Sequence, residues 1–174
     1  MPTSVKGASN LRKALKQFTP DLAKETTKEI GNFLKPVVKN ARGYMPLNAD
    51  VPSGWLVGNQ KGKWARVAFD SGIAKRGIAY KTTPSKANRR GFKALVSIIN
   101  KTGAGAIYET AGRKSGVQGR FTPKLGGQLV GQGQKMQGRA MFRAYAEDQG
   151  KAKGYVLQAI FNSAAKFNAR TGVK

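Results

Sequence analysis

The sequence predicts an α+β fold: a small antiparallel sheet packed against a long N-terminal helix and a C-terminal helix, with long basic loops between them. Three observations carry this. Leu22, Thr26, Ile30, Phe33, Leu34, Val37, Val38 and Ala41 recur at spacings of three and four, which lays one apolar stripe along a single helix. Lys63 to Asp70 (KWARVAFD) and Phe92 to Ile99 (FKALVSII) alternate in hydropathy as half-buried strands do. Met141 to Ala169 then returns to a helical pattern.

Taken in order, residues 1–8 form a flexible start. Ser9 or Asn10 caps a short helix, LRKALKQF, with Leu11, Ala14, Leu15 and Phe18 on one side. The long helix occupies the stretch from Thr19 to Pro46. Thr19 is its cap, Pro20 suits the first helical position, and Asp21, Glu25 and Glu29 lie toward the positive end of the helix dipole. Lys35, Lys39 and Arg42 lie toward the negative end, and Gly43 with Pro46 stops it. Pro36 lies inside the pattern and removes a backbone donor, so a kink or an end-to-end pair of helices is expected there.

Residues 44–61 read as a connection, with Trp55 to Val57 as a short strand. In KWARVAFD, Ala65, Val67 and Phe69 share one face. Ser71–Gly72 then turns, and Ile73, Ile78 and Tyr80 suggest a second, weaker strand. Lys81 to Gly91 (KTTPSKANRRG) is a basic loop with no apolar side chain larger than alanine. FKALVSII is the strongest strand, with Phe92, Ala94, Val96 and Ile98 on one face, and a helical turn around Ala106–Thr110 follows it. Residues 113–138, rich in Gly and Gln and without an acid, read as a mobile arm that cannot bury enough surface to fold alone. In the last helix, Phe142, Tyr145, Val156, Ile160, Phe161, Ala164 and Phe167 are the candidate contacts, and Gly150 or Gly154 marks a break. There is no internal repeat, and residues 1–174 read as one domain.

Charge is the loudest signal. The chain has 32 Lys and Arg against 8 Asp and Glu, a formal net charge of +24. Residues 71–146 hold 15 basic groups and one acid, Glu109. A chain this basic collects polyanions, so its setting supplies nucleic acid or acidic protein neighbours. The candidate DNA contacts are Lys81, Lys86, Arg89 and Arg90 in the loop, with Arg113, Lys114, Arg120 and Lys124 in the arm; Lys135 and Arg139 add to the arm's charge. Apart from Phe121 no aromatic residue is interleaved there, which disfavours base stacking. The competing reading is that these segments order on other protein subunits. The interface candidates are then Glu109, Phe121, Leu125, Leu129 and Met136. Glu109 reads either as an internal ion pair or as a salt bridge across a subunit interface.

Enzyme chemistry has little to build on. Histidine and cysteine are absent, which removes thiol nucleophiles, histidine bases, disulfides and the usual zinc ligand sets. Glu147 and Asp148 are helix neighbours and diverge, while Asp70 and Glu109 lack a nuclease-like setting. Neither phosphate-loop spacing nor GxGxxG between strand and helix occurs. No catalytic residue, metal or cofactor is predicted. No apolar run reaches membrane-spanning length and no leader segment is recognisable, so a soluble chain is expected.

Three stretches in order carry a family resemblance: residues 6–46 with the KPVVKNAR helix, NKTGAGAIYETAG at 100–112, and GRAMFRAYAEDQGKAKGYVLQAIFNSAAKF at 138–167. Together they cover about half the chain. They resemble the neck, or tail-completion, proteins of long-tailed bacteriophages, and within them the tail-component group of lambda-like and actinobacterial siphoviruses. The sequence departs at Leu47–Trp55, where PLNADVPSGWL replaces the group's usual segment. The resemblance implies a structural virion protein that forms a homo-oligomeric ring, six-fold, at the head–tail joint. Its partners there are other copies of itself, a head-completion or stopper protein, a tail terminator or tail tube protein, and the end of the phage DNA. It implies residence in the virion neck, and in the host cytoplasm during assembly. The alternative is a free nucleic-acid-binding protein without sequence preference, supported by charge alone.

Overall fold

The computed structural model describes residues 7–51, 55, 68–89, 91, 93–113, 125 and 128–172. The elements follow in the order α1 (Ala8–Phe18), α2 (Pro20–Gly43), α3 (Ser71–Gly77), β1 (Ile78–Lys81), β2 (Ser97–Asn100), α4 (Gly103–Thr110), β3 (Val130–Gly131), β4 (Gln137–Gly138), α5 (Met141–Glu147) and α6 (Lys151–Thr171). The fold is α+β, with helix dominant. The sheet differs from expectation. Among the described residues there are two separate two-stranded ladders: β1 pairs with β2, and β3 pairs antiparallel with β4, Val130 opposite Gly138.

Local chemistry explains the shorter strands. The Asp70 carboxylate accepts the Ile73 N–H at 2.7 Å, so the Ser71–Gly72 turn becomes the first turn of α3, and β1 begins only at Ile78. Ala94 is withdrawn from β2 because its N–H and carbonyl are both engaged by Ser85. Residues 63–67 of the expected first strand and Phe92 lie outside the described residues, as does most of the 52–67 connection.

The chain divides into two compact units. Unit 1 comprises Met1–Lys35, Tyr80–Ser97 and Gly150–Lys174; unit 2 comprises Pro36–Ala79 and Ile98–Gln149. The division falls at Lys35 and Pro36, inside α2, which nonetheless runs without interruption from Pro20 to Gly43. Of the eight stripe residues, seven are buried and Phe33 is half-buried. Thr19 stands at the start of α2, its carbonyl accepting the Ala23 N–H at 3.0 Å, but its side chain does not cap that helix. It terminates α1, with its N–H on the Leu15 carbonyl at 2.9 Å and its hydroxyl turned back toward the same oxygen.

Unit 1 is a helical clamp. Ala8, Ile30, Leu34, Val156, Ala159 and Ile160 form its core, with Leu11, Phe33, Tyr80, Leu95 and Val96 packed on it. Phe33 stacks on Tyr155 with ring centroids 5.0 Å apart. The hydroxyls of Thr26 and Ser163 lie 2.6 Å apart, each also 2.7 Å from the carbonyl four residues back in its own helix. Two ion pairs join α2 to α6 at the surface, Glu25–Lys166 and Asp21–Arg170, both at 2.7 Å. Phe18 and Phe161, expected in the core, are about two-thirds exposed. Phe161 falls one helical step beyond the buried Val156–Ile160–Ser163 stripe.

Unit 2 packs short elements around aromatic rings. Trp55 meets Phe69 at 5.1 Å, and Phe69 meets Tyr108 at 6.5 Å. Val37, Ala41, Met45, Ile78 and Ala144 are also buried here. The Arg42 guanidinium donates through Nε and Nη2 to the Ile78 carbonyl, at 3.1 and 2.8 Å, and so ties α2 to the start of β1. Tyr145, a predicted core contact, is exposed. The helical break near the C-terminus occurs at Gln149 and Gly150, both with positive φ, while Gly154 stays inside α6.

Candidate nucleic-acid interface

The basic loop of unit 1 is closed at its base. The Ser85 N–H donates to the Ala94 carbonyl at 2.8 Å, and the Ala94 N–H donates to the Ser85 hydroxyl at 2.9 Å. Nearer its origin, Arg12 of α1 donates to the Thr82 carbonyl. Burial lowers the Arg12 pKa from its usual high value. The tip turns at Asn88, whose carbonyl accepts the Gly91 N–H at 2.9 Å, and Gly91 takes a left-handed φ of 74°. Lys81, Lys86, Arg89 and Lys93 are exposed and form no ion pair among the described residues. Arg90 lies outside the described residues.

The arm is different. Lys114, Arg120, Phe121 and Lys124 lie outside the described residues. From 128 onward the chain is folded, not loose: β3 and β4 form a hairpin whose tip holds Lys135 and Met136. Gly131, at φ 141°, is required because a side chain there would collide with the Met136 carbonyl. Met136 is 55% exposed and Leu129 half-buried, so both keep surface for a neighbour. Leu125 is buried within the chain and offers none. Arg113 is half-buried, its guanidinium 4.7 Å from the centre of the Phe142 ring, with Nε and Nη2 buried and without a hydrogen-bond partner among the described residues.

Glu109 is not at a subunit surface. It is 1% exposed, and its carboxylate accepts the N–H groups of Ala140, Met141 and Phe142 at 2.8, 3.1 and 2.9 Å. These are the orphan donors at the start of α5, where a negative charge is also favoured by the helix dipole. Arg139 completes a reciprocal clip. It is 6% exposed, and its Nη1 donates to the Tyr108 and Ala111 carbonyls at the end of α4, at 2.9 and 2.7 Å. Each helix thus supplies or adjoins the group that caps the other. Burial pushes the Arg139 pKa down and the Tyr108 pKa up. Gly138 lacks a side chain because a Cβ there would overlap the Glu109 carboxylate.

Of the four carboxylates weighed for catalysis, Asp70 and Glu109 are engaged by backbone donors, at α3 and α5. Among the described residues no group of acids is arranged to hold a metal, and no helix is long and apolar enough to cross a membrane. Sequence reasoning missed Ser85, Arg12 and Lys93 as parts of the loop. Ser85 follows Pro84 between two threonines and a lysine, a turn-prone setting that hinted at it. Nothing in the sequence pointed Arg12 at Thr82. Compared with known proteins, the chain matches no family model, no curated protein and no solved structure.

Proposed function

We propose that this chain is a structural protein of the bacteriophage virion, a neck or tail-completion subunit that closes into a homo-oligomeric, six-fold ring around the DNA channel. In that place it links head-completion proteins to the tail terminator or tail tube. One observation carries the reading: the three stretches that resemble this family are in contact through specific side chains. Glu109 of the second receives the backbone of the third at Ala140 to Phe142. Tyr44 of the first donates its hydroxyl to Glu147 of the third, and Arg143 lies 4.2 Å from the centre of the Tyr44 ring. These contacts join the three stretches, which supports reading them together. The net charge of +24 suits a wall beside encapsidated DNA.

Light scattering and electron microscopy of the purified chain test this. Closed rings, or incorporation into particles, are expected with or without DNA. A monomer at every salt concentration, absent from particles, overturns it and favours the free nucleic-acid-binding protein, whose support is charge.

A further inference from the structure

We propose that the basic loop closed at its base by the Ser85–Ala94 hydrogen bonds is a finger whose Lys86, Arg89 and Lys93 grip the phosphate backbone of double-stranded DNA without reading its sequence. The proposed function supplies the source of that DNA; the finger itself is argued from three observations.

The first is where the acids are. Unit 1 has three, Asp21, Glu25 and Glu29, all on α2. Asp21 and Glu25 are committed to Arg170 and Lys166 of α6. The segment Tyr80–Ser97 contains five cations, Lys81, Lys86, Arg89, Arg90 and Lys93, and no acid. Positive charge here is left for something outside the chain.

The second is the company these cations keep. Between Lys81 and Gly91 the remaining residues are Thr82, Thr83, Pro84, Ser85, Ala87 and Asn88. Protein interfaces centre on buried aromatic or large apolar anchors, and this stretch has none. Phosphate contacts draw on Lys and Arg together with small hydroxyl and amide side chains, the composition found here. Phe92 is the one aromatic residue in the loop, fewer than the successive rings on which single strands stack, which favours duplex.

The third is the frame. The paired Ser85–Ala94 hydrogen bonds join the two feet of the loop, and the Arg12–Thr82 contact ties its start to α1. Leu95, just past the loop, lines the same small apolar cavity as Leu11, Leu15 and Ile30. The loop is therefore anchored before it meets a ligand, and less ordering entropy is lost on binding.

The test is fluorescence anisotropy with two 30-base-pair duplexes of unrelated sequence, titrated across salt. The triple variant Lys86→Gln, Arg89→Gln, Lys93→Gln is compared with Lys24→Gln, Lys28→Gln, Lys151→Gln, which removes equal charge from exposed helical positions of the same unit. The loop variant is expected to bind both duplexes about 10- to 100-fold more weakly at 0.15 M salt, with the log–log salt slope reduced by about 2 to 3. The helical variant is expected to change little. Ser85→Ala keeps every charge but removes the Ala94 acceptor; a few-fold weaker affinity with an unchanged slope is expected, which marks Ser85 as a positioning residue. Equal losses in the two triple variants would overturn the finger, because overall charge would then explain binding. So would a loop variant that binds DNA normally but fails to assemble, since the loop would then belong to a protein neighbour. Ring formation is scored separately by light scattering. Rings without loop-dependent DNA binding break this inference alone, and a DNA-binding monomer breaks the ring alone.

Discussion

Unit 1 and unit 2 bury their polar groups differently. In unit 1 they are hydroxyls, Thr26 and Ser163, which lie against each other and against their own helix carbonyls, two protons shared over three contacts. Its ion pairs stay at the surface, as in Asp21–Arg170 and Glu25–Lys166. In unit 2 a carboxylate and a guanidinium are buried, and each caps a helix that is only seven or eight residues long. Helices this short are unstable alone in water, because nucleation costs more than a few hydrogen bonds return. The long amphipathic helices of unit 1 need only a partner for their apolar stripe. The short helices of unit 2 need their ends satisfied as well, and buried charge does that.

That contrast can be broken experimentally. The largest effect is expected for Glu109→Ala, which leaves three backbone donors and the Arg139 guanidinium in a dry site. A loss of about 3 kcal/mol or more is expected in urea unfolding. Hydrogen exchange should show protection lost first at 140–147, with α6 protected longer. A loss under about 1 kcal/mol would mean that the clip contributes little. Next comes Gly138→Ala, which forces a methyl group into the Glu109 carboxylate; about 1–3 kcal/mol is expected from the overpacking. A neutral result would show that the clip is free to shift.

Smaller effects are expected in unit 1. Thr26→Val leaves the Ser163 hydroxyl with only its own helix carbonyl and should cost about 1 kcal/mol. The double variant with Ser163→Ala should recover part of that loss, since removing both polar partners is milder than orphaning one. An additive double variant would show that the two hydroxyls do not interact.

The smallest effect is on acid stability. Arg170 holds the Asp21 carboxyl below its usual value, and Tyr44, then Arg143, do the same for Glu147. A carboxylate whose folded pKa is depressed contributes stability that is present above its unfolded pKa and is lost as pH falls through the folded one. Both groups are at the surface, so thermal unfolding should change only slightly as pH drops below about 4, and less at high salt. A steep loss already near pH 6 would point to some other titrating group. In alkali the Tyr44 phenol, raised by its bond to Glu147, contributes stability below its ordinary value near 10.0 that is lost as pH rises through the raised one.

Much of the helical framework was legible, and the reason is visible at particular residues. Leu22, Ile30, Leu34, Val37 and Ala41 repeat on a helical period, and burying that stripe settles α2. The strands were harder. FKALVSII alternates well, yet Ala94 is taken by Ser85, a contact that alternation does not register. Phe18, Tyr145 and Phe161 have the hydropathy of core residues and remain exposed, because periodicity gives a face but not its width. In the candidate interface, the cations at 81, 86 and 89 were evident from composition, while the role of Arg113 was not. Its charge suggested phosphate, and the structure also places it over the Phe142 ring, a contact no local pattern registers.

By itself the sequence determined the long helices, the cation excess and the absence of histidine and cysteine, because these depend on near neighbours or on composition alone. Tertiary structure decided where the rare acids went. Glu109 meets its donors 31 to 33 residues away, and Ser85 closes a loop across nine. Such pairings depend on chain geometry that no local pattern encodes, since a buried carboxylate is stable only where the fold delivers enough N–H groups to replace water.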